Sequence, residues 1–180
     1  MRNVVVTEYV TLDGVMDEPA WTEPYWNDEI SQFKNDELFA SDALLLGRVT
    51  YEGFAAAWPT MEGTGEFGER MNSLPKYVAS RTLKATEWNA SLIKGNVVEE
   101  VSRLKQQPGQ NLLIYGSGEL VHTLMQHNLI DEYRLLVYPV VLGSGKRLFK
   151  DGSAATLKLV DAKTFSSGVV ALIYQPAQPV

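Results

Sequence analysis

Apolar positions recur along this chain in two periods, and the two alternate. Asn3–Leu12 (NVVVTEYVTL) is β-branched, apolar and partly alternating, the pattern of a buried strand. A Gly-, Pro- and Trp-rich loop follows (DGVMDEPAWTEPYW). Ile30, Phe33, Glu37 and Leu38 then recur at helical spacing behind Asn27 or Asp28 as N-cap. DALLLG is a short apolar strand, and RVTYEGFAAAW a helix that Pro59 terminates. MEGTGEFGERMNSL predicts a helical turn or two, PKYVAS a strand, and Ser91–Lys94 a further short one. Asn96 is an N-cap with Glu99 at the capping-box position; Val97, Val101 and Leu104 line the helix face, and Pro108-Gly109 stops it. NLLIY is a strand, and Leu120, Val121, Leu124 and Met125 form the inward stripe of the helix behind it.

The remainder changes character. DEYRLLVYPVVLG, TLKLVDAKTF and GVVALIYQP predict strands with no helix between them. Alternating strand and helix followed by a run of strands predicts one α/β domain over residues 1–180, its mainly parallel sheet closed by antiparallel C-terminal strands.

Composition narrows the function. The apolar fraction of 45% and charged fraction of 21% are those of a globular chain rather than a disordered one. A net charge of −6 argues against nucleic-acid binding, which needs a basic face, yet leaves room for a small anion held by local arginines. With no cysteine there are no disulfides, thiol nucleophiles or thiolate metal sites. Met1 leads directly into a strand without a signal-peptide pattern, and no apolar run approaches the ~20 residues of a membrane span, so the expected location is cytoplasmic, away from membranes.

Three strand-to-turn junctions share one design. Gly47, Arg48 and Thr50 follow one strand; Ser80, Arg81 and Thr82 follow another; Gly116, Ser117 and Gly118 follow the third. Ligands of open α/β sheets collect at the carboxyl ends of parallel strands. Small residues, hydroxyls, arginines and a helix N-terminus are what phosphates require there. Each junction alone also reads as an ordinary turn; together they point to a ligand with several phosphates. LGSGKRLF is no P-loop, since Val140 and Arg147 stand at positions that need Gly and Ser/Thr. His122 and His127 do not share a helix face and make no zinc site.

The order G-R-x-T-Y-E, S-R-T, G-S-G-E-L resembles the dihydrofolate reductase-like superfamily. LIDEYRLLVYPVVLGSGKRLF and TLDGVMD are similar to its riboflavin-pathway branch, the C-terminal reductase domain of the bifunctional deaminase–reductase. The likeness runs from Asn3 to Tyr174. It implies a three-layer α/β fold and an NADPH-dependent reductase. By that pattern Gly47, Arg48 and Thr50 sit at the pyrophosphate, and Ser80 and Arg81, with Thr82 beside them, take the adenosine 2′-phosphate. Gly116, Ser117, Gly118, Glu119 and Leu120 would face the pyrophosphate and nicotinamide.

For acid or orienting chemistry the candidate is Asp13 of the Leu-Asp-Gly motif, whose alternative is a turn; Glu23 and Asp28 are weaker candidates. Trp21, Trp26, Tyr51 and Phe54 are the expected walls for a flat heterocyclic acceptor, with Phe54 and Trp58 also placed to be core. Val15, Met16 and Asp17 stand where the riboflavin branch commonly has a lysine, and no deaminase segment precedes Asn3. Nor is there a clear pterin-binding carboxylate on the first helix. The resemblance therefore implies a stand-alone reductase whose acceptor is pterin-like, pyrimidine-like or another small conjugated molecule. The competing reading is a non-catalytic nucleotide-binding module. The apolar run RLLVYPVVLG, with the family likeness, predicts a homodimer through the C-terminal strands.

Overall fold

The computed structural model describes residues 1–17 and 19–177. Its strands are β1 (Val4–Thr11), β2 (Ser41–Gly47), β3 (Lys76–Ala79), β4 (Ala90–Leu92), β5 (Asn111–Tyr115), β6 (Glu132–Tyr138), β7 (Leu157–Thr164) and β8 (Val170–Pro176). They form a single sheet in the order β4-β3-β2-β5-β1-β6-β8-β7. Pairing is parallel from β4 through β6 and antiparallel from β6 to β8 and β8 to β7. The mainly parallel sheet with antiparallel C-terminal strands is thus as the sequence predicts.

Among the described residues five α-helices cover the two faces: α1 (Asp28–Phe39), α2 (Arg48–Ala57), α3 (Gly65–Ser73), α4 (Val97–Gln106) and α5 (Gly118–Gln126). Leu38, Tyr51 and Met71 of α1, α2 and α3 bury against Val5, Leu44, Leu46 and Leu113 on one face. Val101, Leu104, Leu120, Val121 and Leu124 of α4 and α5 bury against Val4, Val6, Leu45 and Leu112 on the other. Both faces of the central strands are covered, which is why they read as continuous apolar runs rather than alternating ones. Each buried Val or Leu stabilises the fold by roughly 1.5–3 kcal/mol.

The caps follow the sequence. Asn27 Oδ1 accepts from the Ile30 N–H at 3.0 Å, and Asn96 Oδ1 from that of Glu99 at 3.1 Å. Three boundaries differ. β4 begins one residue earlier than the predicted strand and ends at Leu92, and the Trp-rich loop winds into a 3₁₀ segment over Pro19–Tyr25. β6 stops at Tyr138, before Pro139, whose nitrogen has no proton to give a ladder. β6 also lies between β1 and β8, so most of RLLVYPVVLG is covered within the chain; its exposed apolar residues are Val141 and Leu142, beyond the strand. The sheet's edge strands are β4 and β7, and on β7 Leu159 and Val160 are about half exposed.

One topological feature positions the site. β1 and β5 are neighbours, yet β1 leads through α1 to β2 on one side and β5 through α5 to β6 on the other. Their connections leave to opposite faces of the sheet, and a crevice opens where the two chains part.

Candidate functional site at the strand ends

A cleft of about 2280 Å³ runs along the carboxyl ends of β3, β2, β5 and β1. Drug-sized sites occupy ~300–1,000 Å³, so this one has room for an extended ligand and a second molecule. All three predicted junctions line it: Gly47, Arg48 and Thr50; Ser80, Arg81 and Thr82; and Gly116 through Leu120. Trp26 and Phe54 line it as well.

The junctions are pinned to each other. Ser117 takes a left-handed conformation at φ 59°, its hydroxyl donates to Tyr115 O at 2.9 Å, and it accepts from the Gly47 N–H at 2.9 Å. The Ser117 N–H donates to Thr50 Oγ1 at 3.1 Å. Gly116 is also left-handed, φ +52°, and a Cβ there would stand 2.9 Å from Thr50 Oγ1. The Gly-Ser-Gly turn is therefore a tight junction first. The Ser117 and Thr50 hydroxyls hold backbone, while the first-turn N–H groups of α5 are left directed out of the helix end, with the dipole behind them.

At the β3 junction Ser80 Oγ accepts from the N–H groups of Thr82 and Leu83 at 3.2 and 3.1 Å, a turn that carries Arg81 outward. Arg81 is exposed. Arg48, by contrast, pairs with Glu52 one helical turn on, at 3.0 Å. Glu119 pairs with Lys150 at 2.8 Å, and that hydrogen-bonded ammonium holds its carboxyl below the usual range.

Three predicted residues do not join the cleft. Asp13 is an anionic latch: its carboxylate accepts from the Thr11 hydroxyl at 2.6 Å and from the Gly143 and Leu142 N–H groups at 2.8 and 3.3 Å. These bonds, the Thr11 hydroxyl first, hold its pKa down at about 2, so it has no proton to give at neutral pH. Here the turn reading of Asp-Gly prevails over the catalytic one. Trp21 donates its indole N–H to Asp17 O at 3.1 Å and packs edge-on against Tyr138 at 5.3 Å, outside the cleft. Tyr51 is buried under α2, with its hydroxyl accepting from the Glu87 N–H at 2.7 Å. Of the weaker candidates, Asp28 lies at the cleft and Glu23 does not.

The sequence reading missed a buried polar group beside the crevice. Lys34 on α1 is 3% exposed, donates to Thr7 Oγ1 at 2.8 Å, and pairs with Glu37, itself 2% exposed, at 2.6 Å. Its ammonium sits 5.0 Å from the ring centroids of both Tyr9 and Tyr115. Arg134 reaches the other Glu37 oxygen at 3.6 Å. Glu8, in the middle of β1, is 3% exposed, lines the cleft, and among the described residues has no side-chain partner at either carboxyl oxygen, only the Gly116 N–H turned toward it. Burial raises its pKa well above the carboxylate range, against the Lys34 charge and the Gly116 N–H, which oppose it. The signal was present: a glutamate inside VVVTEYVT, and a lysine on the Ile30–Leu38 stripe, each on a buried face.

Fold and site together define an α/β domain with a long cleft at a topological switch point. Residues 2–171 match the model of the RibD C-terminal domain family, and the chain belongs to that family. It is 35% identical over 177 residues to the uncharacterized protein YyaP of Bacillus subtilis, covering 96% of this chain and 94% of YyaP. Among solved structures, a Shewanella sp. PV-4 protein described as a riboflavin biosynthesis protein superposes with a TM-score of 0.80 at 22% identity, over 99% of this chain and 100% of that one. The Thermotoga maritima diaminohydroxyphosphoribosylaminopyrimidine deaminase/5-amino-6-(5-phosphoribosylamino)uracil reductase gives 0.68 at 14% identity, over 98% of this chain and 57% of that one. Membership of that family supports an oxidoreductase-type function, and the solved structures show the shared fold.

Proposed function

We propose that this protein is an NADPH-dependent reductase that delivers a hydride to a small conjugated heterocycle, pterin-like or pyrimidine-like. The observation that carries the reading is the convergence of three phosphate-suited junctions and the α5 N-terminus on one cleft at the β1/β5 crevice.

The residues fit a dinucleotide. Glycine at 116 leaves its backbone bare beside Thr50, and the α5 N–H groups supply donors for a pyrophosphate. Arg81, exposed at the far end, suits the dianionic 2′-phosphate, because its planar fork can donate two parallel hydrogen bonds. When bound, the nicotinamide supplies the hydride, and the protein is left to position, desolvate and protonate. Trp26, whose indole N–H donates to Ser31 at 2.7 Å, and Phe54, edge-on to Tyr115 at 6.0 Å, offer aromatic surface for flat rings.

The test is tryptophan fluorescence during titration with NADPH and with NADH, followed by loss of the reduced-nicotinamide absorbance with a panel of pterins and aminopyrimidines. Tighter NADPH binding with turnover supports the reading. Binding without turnover leaves a nucleotide-binding module, and failure to bind either cofactor refutes it.

A further inference from the structure

Most polar side chains around the crevice are committed. Lys34 is held by Thr7 and Glu37, Arg134 lies between Glu37 and Glu132, and Glu119 is held by Lys150. Asp13, the first carboxylate suggested by sequence for acid chemistry, is tied into a turn away from the cleft. Glu8 differs from all of these. It lines the cleft, its two buried oxygens make no side-chain hydrogen bond among the described residues and have only the Gly116 N–H turned toward them, and β1 presents it on the face of Val4, Val6 and Val10, toward α5. A buried carboxyl group without partners is costly to keep, so an unpaired one beside a cleft calls for a ligand that completes it.

We propose that Glu8 is the proton source of the reduction, its carboxyl O–H donating to a ring nitrogen or carbonyl oxygen next to the acceptor carbon that takes the hydride. The proposal rests on the reductase reading of the cleft. It narrows the acceptor to a ring with a C=N or C=O bond and a lone pair in its plane. In the step, that carbon gains the hydride pair and the π electrons move onto the heteroatom. The O–H bond of Glu8 breaks as the new N–H or O–H bond forms. Two electrons pass from the nicotinamide to the acceptor, and the Glu8 carboxylate regains its proton from solvent through the cleft.

The surroundings favour the protonated acid. Burial outweighs the pull of the Lys34 ammonium, much of whose charge is spent on Glu37. Among the described residues Lys34 from α1 and Tyr9 from β1 act on Glu8 directly, while Glu37 from α1, Tyr115 from β5 and Arg134 from β6 stand behind them. Burial raises both tyrosines, Glu37 raising them further, so they stay neutral. A neutral acid offers a donor and an acceptor side by side, which an amide-like or amidine-like ring edge can take up together.

The experiment uses the full chain and its Glu8→Gln variant, with two readouts. Infrared difference spectra between the two at neutral pH, without ligand, should show a protonated carboxylic-acid carbonyl band in the wild type that the variant lacks. No such band overturns the proposal. Stopped-flow oxidation of NADPH with a 7,8-dihydropterin as acceptor probe should then slow ~100-fold or more in Glu8→Gln, the scale of general acid catalysis, with the NADPH Kd changed less than ~2-fold. An unchanged rate also overturns it, because a merely structural carboxyl would lose nothing to its isostere. A wild type that binds NADPH but does not reduce the probe overturns the acceptor assignment. A wild type that does not bind NADPH refutes the reductase reading instead, and the infrared band still decides whether Glu8 carries a proton.

Discussion

Replacing Glu8 by Gln should change how stability depends on pH, and the structure sets the sign. The Glu8 carboxyl is 3% exposed, and burial raises its pKa in the folded chain. In the unfolded chain it titrates near the ordinary glutamate value of about 4.3. The folded state therefore holds the proton more tightly than the unfolded state does. Below the unfolded pKa both states are protonated and the group is neutral in its effect. Above it, the unfolded chain gains by ionising while the buried acid does not, and stability falls by about 1.4 kcal/mol per pH unit until the folded pKa is reached. Gln is neutral at every pH and removes that slope. For a chain of this size, 1 kcal/mol corresponds to ~2–4 °C in Tm. Scanning calorimetry of both proteins at pH values stepped upward from about 4 should show Tm curves that diverge once the pH passes the unfolded pKa, the variant gaining relative to the wild type. Any constant offset from the amide cancels in this comparison. Parallel curves would refute the reasoning, because they would mean that Glu8 ionises alike in the folded and unfolded chains.

Four further outcomes are expected. Arg81→Ala should weaken NADPH binding by roughly 1.5–3 kcal/mol and leave NADH little changed, as read by fluorescence titration; equal losses would remove Arg81 from the 2′-phosphate. Gly116→Ala should cost ~1–2 kcal/mol in urea unfolding, since a Cβ at φ +52° is strained and would meet Thr50 Oγ1 at 2.9 Å; an unchanged midpoint would count against the pinned junction. Asp13→Asn should speed hydrogen exchange at the Leu142 and Gly143 amides and leave the NADPH Kd unchanged. Because the folded pKa of Asp13 is depressed, its stabilisation is present above the unfolded pKa and lost only as pH falls toward 2, so the variant should also flatten the acid limb of the stability curve. We propose association of two chains through the exposed β7 edge, with Leu159 and Val160 on it; light scattering at micromolar concentration should report a dimer that Val160→Lys weakens, and a stable monomer would dismiss it.

What the sequence determined on its own is what local periodicity and turn chemistry carry. The strand–helix alternation, the caps at Asn27 and Asn96, the stop at Pro59 and the three strand-end junctions are written in spacings of two to four residues. Backbone geometry makes these readable without knowing what they pack against. The order of strands is different in kind. Nothing local to NLLIY says that β5 slips between β2 and β1, yet that insertion sends neighbouring connections to opposite faces and opens the crevice. Long-range pairing likewise decided the fate of Asp13, whose partners Leu142 and Gly143 lie about 130 residues away in the chain. It also placed RLLVYPVVLG inside the sheet rather than at its surface. Glu8 shows where the division falls. The sequence places a carboxyl in a buried strand; only the tertiary structure gives Lys34 to Glu37 and leaves Glu8 without a side-chain hydrogen bond among the described residues, at the edge of a cleft. An ionisable group takes its chemistry from dielectric and partners, and those are set by residues far apart in the chain.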